Sequence, residues 1–412
     1  PTTMPYVFDF ENRKRNATGI KCNIGGSRAW RAPNHPQACA LTQTAMDDLA
    51  AKAGMDSYDF FLKNLDQTPR ADVYRAEMER AAKLIDWKAK AHPHGKGNGR
   101  GAVKQGLGMA LHTWAGGAHP SQCQLRVNPD GTVETRLGSQ DIGTGTRTVI
   151  AMTVAETFGI PLDKVNVKIG SNQYPRSGAS GGSTTVGGVS GSNRRAAQTA
   201  LWQILDKVAA KYDADAATLQ AKDGKIVSAD GKTVCTWQDA ARLVGPMGME
   251  VTGEGPKQDG LTDAGVGGVQ MADVSVDTGT GIVRVNKFVA VQDCGLVIDL
   301  MTAKSQVYGA AIMGIAYALS EEVIMDPATG RFINANLRDY KLPRIGDIGE
   351  IVVEFYQPED QYKRGVIGLG EPPVISPGAA ISNAVANATG VRVPVLPMTP
   401  KRVLDALKGA QS

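Results

Sequence analysis

Gln124-Leu-Arg-Val127, Asn128-Pro-Asp-Gly131 and Val133-Glu-Thr-Arg-Leu137 read as two short strands joined by a turn punctuated by proline and glycine. A helix is expected to follow, from about Thr146 to Phe158. The same order returns in the second half: Val274-Ser-Val276, the turn Asp277-Thr-Gly-Thr-Gly281, a strand from Ile282 to Gln292 and a helix from about Ala303 to Leu319. The chain is therefore read as a weak internal duplication of strand–hairpin–helix units. Hairpins mixed with helices point to an α+β architecture with mixed sheets and packed helices, not to a doubly wound sheet.

Outward from these units, residues 1–40 are loop-rich, and 41–91 carry apolar residues at helical spacing through Leu49, Ala53, Phe60 and Phe61, and again from Met78 to Ile85. His92-Pro-His-Gly-Lys-Gly-Asn-Gly-Arg-Gly101 reads as a low-complexity linker. His92 and His94 stand there without a carboxylate or thiol nearby, so solvated side chains are expected in preference to metal ligands. This organisation suggests three segments, 1–101, 102–255 and 256–412.

Composition excludes several classes. With 42% hydrophobic and 21% charged residues and a net charge of +4, the chain has neither the basic excess of a nucleic-acid binder nor the polarity of a disordered protein. Its longest apolar run, Tyr308 to Leu319, is about half of the ~20 residues a membrane span needs, and reads as a buried core helix. The 48 glycines exceed the usual ~7% and cluster in particular loops, which suggests close backbone approach to something. Cys22, Cys39, Cys123, Cys235 and Cys294 are far apart and odd in number, so a disulfide framework, a structural zinc site or an iron–sulfur cluster within this chain is not expected. Buried small hydrophobes are. The chain starts at Pro1 without a signal-peptide pattern, as a processed, split or partial chain would, and leaves cytoplasm and periplasm both open.

Chemistry concentrates in a few loops. Gly365-Val-Ile-Gly-Leu-Gly-Glu371-Pro-Pro373 sets one carboxylate between flexible glycines and two prolines. Pro372 should push Glu371 toward extended backbone, and Gly368 and Gly370 should let another group approach the main chain. Ser376-Pro377 then offers a hydroxyl N-cap and an N1 proline for a helix running to about Gly390. Two further glycine-rich loops, Asp141-Ile-Gly-Thr-Gly-Thr-Arg147 and Ser177 to Gly188, lead into helices, the second near Arg194-Arg195. Their backbone amides could hold a phosphate or other anion, although tight turns would use the same glycines, and neither loop is a standard nucleotide signature. Ala29-Trp30-Arg31, close to Arg28, Asn34 and His35, could aim a guanidinium at an anionic ligand.

Taken together, the chain resembles the C-terminal half of the molybdopterin-binding large subunit of the xanthine dehydrogenase and aldehyde oxidoreductase family, the molybdenum hydroxylases. Ala29-Trp-Arg-Ala-Pro-Asn-His-Pro-Gln37, Gln140-Asp-Ile-Gly-Thr-Gly145, Ser180-Gly-Gly-Ser183 and Gly368-Leu-Gly-Glu-Pro-Pro373 carry the match in order, with Gln306 after Asp293-Cys-Gly295 as a weaker point. The resemblance covers nearly the whole chain. It implies that 102–255 and 256–412 are two molybdopterin-binding subdomains with the family's α+β fold. It also implies a molybdenum held by a pyranopterin dithiolene, with the cytosine dinucleotide as one form, and bound by cofactor atoms, so that no protein metal ligand is expected.

By the same resemblance, Glu371 matches the base that takes a proton from the hydroxyl on molybdenum, in an oxidation of an aldehyde or N-heterocycle by oxygen drawn from water. Arg31 matches an arginine close to the metal. Gly143, Thr144, Gly145, Ser180, Gly181, Gly182 and Ser183 match loops around the pterin and its phosphate, Gln306 a glutamine contacting the pterin, and Gly370 the glycine before the base. A second polypeptide carrying the N-terminal half, an iron–sulfur subunit and an FAD subunit are the implied partners. The copper-dependent carbon monoxide branch has a cysteine after the arginine matched by Arg31; here Ala32 stands there, which disfavours that branch. Trp30, Trp114 and His112 could line a pocket or simply pack. A non-catalytic cofactor-carrying half-subunit, a carbon monoxide dehydrogenase-like oxidoreductase and a nucleotide-binding enzyme are the rival readings.

Overall fold

The computed structural model describes residues 6–21, 26, 28–255 and 265–410. Cys22 and the start of the third expected segment lie outside the described residues. The first helices are α1 (His35–Lys52), α2 (Ser57–Lys63), α3 (Ala71–Ile85) and the single turn α4 (Trp87–Lys90). There follow β1 (Val103–Trp114), β2 (Ser121–Val127), β3 (Val133–Leu137), α5 (Thr146–Phe158), β4 (Val165–Ile169) and α6 (Thr185–Tyr212). A small antiparallel sheet comes next, of β5 (Gln220–Lys222), β6 (Lys225–Val227) and β7 (Thr233–Thr236), then α7 (Trp237–Arg242) and β8 (Met249–Gly255). The chain continues through β9 (Val266–Asp277), β10 (Val283–Gln292), α8 (Leu300–Leu319), β11 (Glu350–Phe355), α9 (Glu359–Tyr362), α10 (Pro377–Thr389) and α11 (Pro400–Gly409). The architecture is α+β with mixed sheets.

The expected duplication is present as topology. One sheet has the order β1-β9-β10-β11 and the other β8-β2-β3-β4; each has an antiparallel edge, an antiparallel hairpin, then a parallel strand reached through a helix, α8 or α5. The edge strands are exchanged. β1 precedes the first hairpin in sequence but pairs with β9, and β8 precedes the second hairpin but pairs with β2. One hydrophobic core therefore draws on residues 6–111 and 266–403, and the other on residues 123–251. The first core is assembled across all three expected segments, while the second lies within 102–255.

The strands show why the hairpin was legible. β2 and β3 bury every second residue, the signature of a sheet with one covered face. β9 is buried almost throughout, because α10 covers one face and α3 packs on the same strand. The covering helices come close to the sheets through glycines. A Cβ on Gly108 would lie 2.2 Å from the Ala380 carbonyl oxygen of α10, and one on Gly253 would lie 2.1 Å from the Ser192 carbonyl oxygen of α6. These are corresponding positions of the repeat, on β1 and β8.

Two expectations about connections need correction. α6 starts at Thr185, inside the glycine-rich loop and well before Arg194. The segment His92–Gly101 is not a free linker: Gly97 is buried, a Cβ there would lie 2.6 Å from the Ala388 carbonyl oxygen of α10, and both ring nitrogens of His92 are within hydrogen-bond distance of backbone carbonyls, of Pro93 and Gln105. Small residues there serve packing against the end of α10. Cys39, Cys123, Cys235 and Cys294 are all buried, and burial raises each thiol, Cys123 to about 12. Among the described residues no helix is long and apolar enough to cross a membrane.

Candidate functional site

The loop before α10 does not adopt the backbone expected of it. Glu371 has φ −102° and ψ −41°, in the helical region and not extended. The steric bias against helix before proline is real but modest, and here the Glu371 carbonyl accepts from the Val374 amide at 3.2 Å, closing a 3₁₀ turn over Pro372–Val374. Ser376 stands at the N-cap of α10 but makes no cap hydrogen bond. Its hydroxyl instead lies 2.8 Å from Nδ1 of His112 and 2.8 Å from Oε1 of Gln270.

Glu371 is held from two sides. Its amide donates to the Ser183 hydroxyl at 2.8 Å, and its Oε1 accepts from the Ala32 amide at 3.1 Å. Ala32 and Ser183 both have left-handed backbones, with φ 56° and 58°, a conformation that costs ~1–3 kcal/mol for a residue with a side chain and gathers at functional sites. Oε2 of Glu371 is buried and has no hydrogen-bond partner among the described residues. Gly368 lets the loop reach Ser183, since a Cβ on it would lie 1.6 Å from the Ser183 carbonyl oxygen.

Arg31 spans three of these elements. Its Nε donates to the Gly370 carbonyl, and Nη2 donates to the Gln306 carbonyl at 3.0 Å and to Gln306 Oε1 at 3.4 Å. Burial lowers its pKa to about 10, against the opposing pull of Glu371, so it keeps its charge at neutral pH. Gln306, on α8, donates in turn to the Gly143 carbonyl at 3.2 Å.

The other loops differ in what they leave free. The amides of Gly143 and Thr144 both donate to Asp141 Oδ1 at 3.1 Å, while Asp299 caps α8 by accepting from the Met301 amide at Oδ1 and the Thr302 amide at Oδ2. Ser180 is tied to Gln140 through its amide (3.0 Å) and its hydroxyl (2.7 Å). The amides of Gly182 and Ser183 make no hydrogen bond to the described residues.

These elements converge on a cavity of about 480 Å³, at the starts of α5, α6, α8 and the turn before α10. Of the expected site residues, Arg31, Thr144, Gly181, Gly182, Ser183, Gln306, Gly370 and Glu371 line it. Gly143, Gly145 and Ser180 do not; Gly143 acts through its carbonyl, Gly145 abuts Thr302, and Ser180 fixes the loop from behind. Sequence reading missed the wall formed by Leu296, Val297, Ile298, Asp299 and Thr302. The internal repeat held the signal: the loop after β10 corresponds to the glycine loop after β3, and each leads into a helix whose start faces the cavity.

Trp30, Trp114 and His112 do not line the cavity. Trp30 packs edge-on against Tyr317, and Trp114 donates to the Gly182 carbonyl at 3.1 Å. His112 is fully buried in a polar relay running Gln292, His112, Ser376, Gln270, Pro373. Gln292 spends its NH₂ on the carbonyls of Gly267 and Asp293, so its Oε1 accepts at 2.9 Å from Nε2 of His112. Burial lowers the His112 pKa to about 4, which keeps the ring neutral; Nδ1 is then an acceptor, so the one Ser376 proton serves either Nδ1 or Gln270 Oε1, and Gln270 in turn donates to the carbonyl two residues beyond Glu371. Among the described residues no group of three His, Cys, Asp or Glu side chains is placed to hold a metal directly.

Comparison with known proteins gives a consistent result. Residues 80–349 match the molybdopterin cofactor-binding domain family. The chain is 32% identical over 416 residues to the aldehyde oxidoreductase molybdenum-binding subunit PaoC of Escherichia coli K12, covering 95% of this chain and 54% of that protein. It is 30% identical over 409 residues to the putative xanthine dehydrogenase molybdenum-binding subunit XdhA of the same strain, covering 93% and 54%. Quinoline 2-oxidoreductase from Pseudomonas putida 86 shares the fold, with a TM-score of 0.78 at 22% identity over 92% of this chain and 53% of that one. The chain spans about half the length of each of these relatives.

Proposed function

Because the chain belongs to the molybdopterin-binding large subunits of the xanthine dehydrogenase and aldehyde oxidoreductase family, we propose that it is the cofactor-holding half of a molybdenum hydroxylase whose base is Glu371. The reaction is the oxidation of an aldehyde or an N-heterocycle with oxygen drawn from water. The observation that carries this reading is the division of labour within one carboxylate: Oε1 is pinned by the Ala32 amide, while Oε2 has no partner in a cavity-lining residue.

A general base must be rigid and must present an unshared lone pair at the reacting atom. Both left-handed residues that hold Glu371 serve the first demand, and Oε2, buried and taken by no described donor, is the oxygen we assign to the second. A buried carboxylate oxygen without a donor is costly unless a ligand supplies one. The residues present fit a pterin-bound molybdenum: free amides at Gly182 and Ser183 for its polar edge, and the Arg31 charge and Gln306 amide beside the base. When bound, the group supplies the electron-accepting metal centre and the oxygen to be transferred. Glu371 then accepts the proton at Oε2, and Arg31 offsets the negative charge of the site. The Gly143 and Thr144 amides, taken by Asp141, give this loop a framing role in which the Thr144 side chain and the Gly143 carbonyl do the work.

The cytosine dinucleotide form of the cofactor, iron–sulfur and FAD partners, and a polypeptide completing the large subunit all belong to this proposal. Ala32 offers no thiol beside Arg31, which favours C–H oxidation over the copper-dependent chemistry. The test is turnover of aldehydes and N-heterocycles in ¹⁸O-labelled water by the protein purified with its partners, alongside molybdenum content and the fluorescence of the oxidised, released cofactor. Label in the product with a pterin signal supports the reading. A released adenine nucleotide without molybdenum would favour the nucleotide-binding alternative instead.

A further inference from the structure

Between α8 and β11 the chain runs as an arm, residues 320–349, that lies at the surface almost throughout: Asn334 is its one buried residue, and charged and apolar side chains alike are exposed. The buried Asn334 side chain accepts from the Ile324 amide at 2.9 Å and donates to the Glu322 carbonyl at 2.7 Å. Tyr340 donates to Glu321 at 2.8 Å, Arg402 of α11 pairs with Glu322, and Asp326 closes its own turn through the Ala328 amide at 3.0 Å. The arm is thus pinned by its own hydrogen bonds. Against that frame Val323 is 58% exposed, Phe332 60%, Ile333 63%, Leu337 81%, Leu342 52% and Ile345 96%. Single exposed apolar residues are ordinary, but six that are more than half exposed on one segment form a concentration typical of interaction surfaces.

We infer that this arm is the seat of the complementary portion of the large subunit, docked through Phe332, Ile333, Leu337 and Ile345. The inference rests on the reading that a second portion completes the subunit. The relatives carry both portions in one chain, and this chain spans 54% of two of them, so a comparable length of polypeptide remains to pack against it. Charge favours a protein occupant over a membrane or nucleic acid: Arg331, Arg338, Lys341 and Arg344 are offset along the arm by Glu321, Glu322, Asp326, Asp339 and Asp347, so the segment carries no basic excess. Apolar anchors with interspersed charges of both signs are the make-up of a protein interface.

The experiment expresses the remaining portion of the large subunit from the same source as a tagged polypeptide and measures its binding to this chain by calorimetry. Three forms are compared: the unsubstituted chain, Leu337→Glu with Ile345→Glu, and Phe332→Glu with Ile333→Glu. Because these side chains are exposed, each variant should keep the unsubstituted circular dichroism and melting temperature. Binding by the unsubstituted chain and at least ~10-fold weaker binding by both variants supports the arm as the seat. Equal binding by all three overturns the arm while leaving the partner reading intact. No binding by the unsubstituted chain overturns both. If the chain alone is a dimer that either variant dissociates, a second copy covers the arm and the inference fails.

Discussion

The amide of Ala32 donates to Oε1 of Glu371 across 339 residues of chain, and it can do so because Ala32 holds a left-handed backbone that its side chain disfavours. A main-chain donor has no rotamer to lose, so the carboxylate is oriented without the entropy cost of ordering a side-chain partner. What remains free is Oε2, the atom proposed to take the proton.

Glu371→Gln preserves the Oε1 acceptor and removes the base. In the holoenzyme it is expected to lower kcat by about 10²–10⁴-fold while molybdenum content and folding stay as before. Steady-state kinetics with metal analysis on the same sample checks this; an active variant would return the protein to the cofactor-carrying, non-catalytic reading.

Gly368→Ala and Gly370→Ala make a contrasting pair. The first places a methyl 1.6 Å from the Ser183 carbonyl oxygen, so the base loop and the Gly181–Ser183 loop must separate; the second meets nothing nearer than Ser183 Oγ at 3.7 Å. Activity and retained cofactor should fall roughly 100-fold or more for Gly368→Ala, the scale on which ångström displacements act in a preorganised site. Gly370→Ala, by contrast, meets no protein atom closely, so the contact between the two loops and the melting temperature should stay close to those of the unsubstituted protein.

Arg31→Lys keeps the charge but cannot reach the Gly370 carbonyl and the Gln306 carbonyl together. Loss of one charge-assisted hydrogen bond is worth ~1.5–3 kcal/mol, or about 10- to 100-fold in kcat/KM. Comparing kcat/KM with the melting temperature separates the site effect from destabilisation.

His112 makes stability depend on pH in a definite direction. Its pKa in the folded protein is about 4, against 6.5 when unperturbed, so below pH 6.5 the unfolded chain binds a proton that the folded protein refuses. Stability is full above pH 6.5 and is lost as pH falls toward 4, by on the order of 3 kcal/mol from this group. Denaturant unfolding from pH 4 to 7 should show that slope, and His112→Gln should flatten it.

Local signals in the sequence reached the elements but not their assembly. The turn Asn128-Pro-Asp-Gly131 and the alternation on either side are readable because a sheet with one covered face writes its burial into every second residue, and β2 and β3 do. The start of α5 at Thr146, after Gly145, and the end of α10 at Thr389, before Gly390, follow from glycines at helix boundaries. The helical backbone of Glu371 was not readable, because a preference set by the next residue gave way to a hydrogen bond made three residues on. Ser376 failed as a cap for a longer-range reason: its hydroxyl is claimed by Gln270 and His112, residues on other strands.

The sequence by itself determined the α+β character, the internal repeat, and the identity of the loops that carry the site, because each of these is written in short-range residue patterns. Tertiary structure alone decided that β1 and β8 exchange sheets, that Ala32 and Ser183 clasp one carboxylate, and that the Leu296–Asp299 wall closes the cavity. Those are contacts between residues that no local pattern relates. They form only when two packed cores bring four helix starts to one place, so they are properties of the assembled chain.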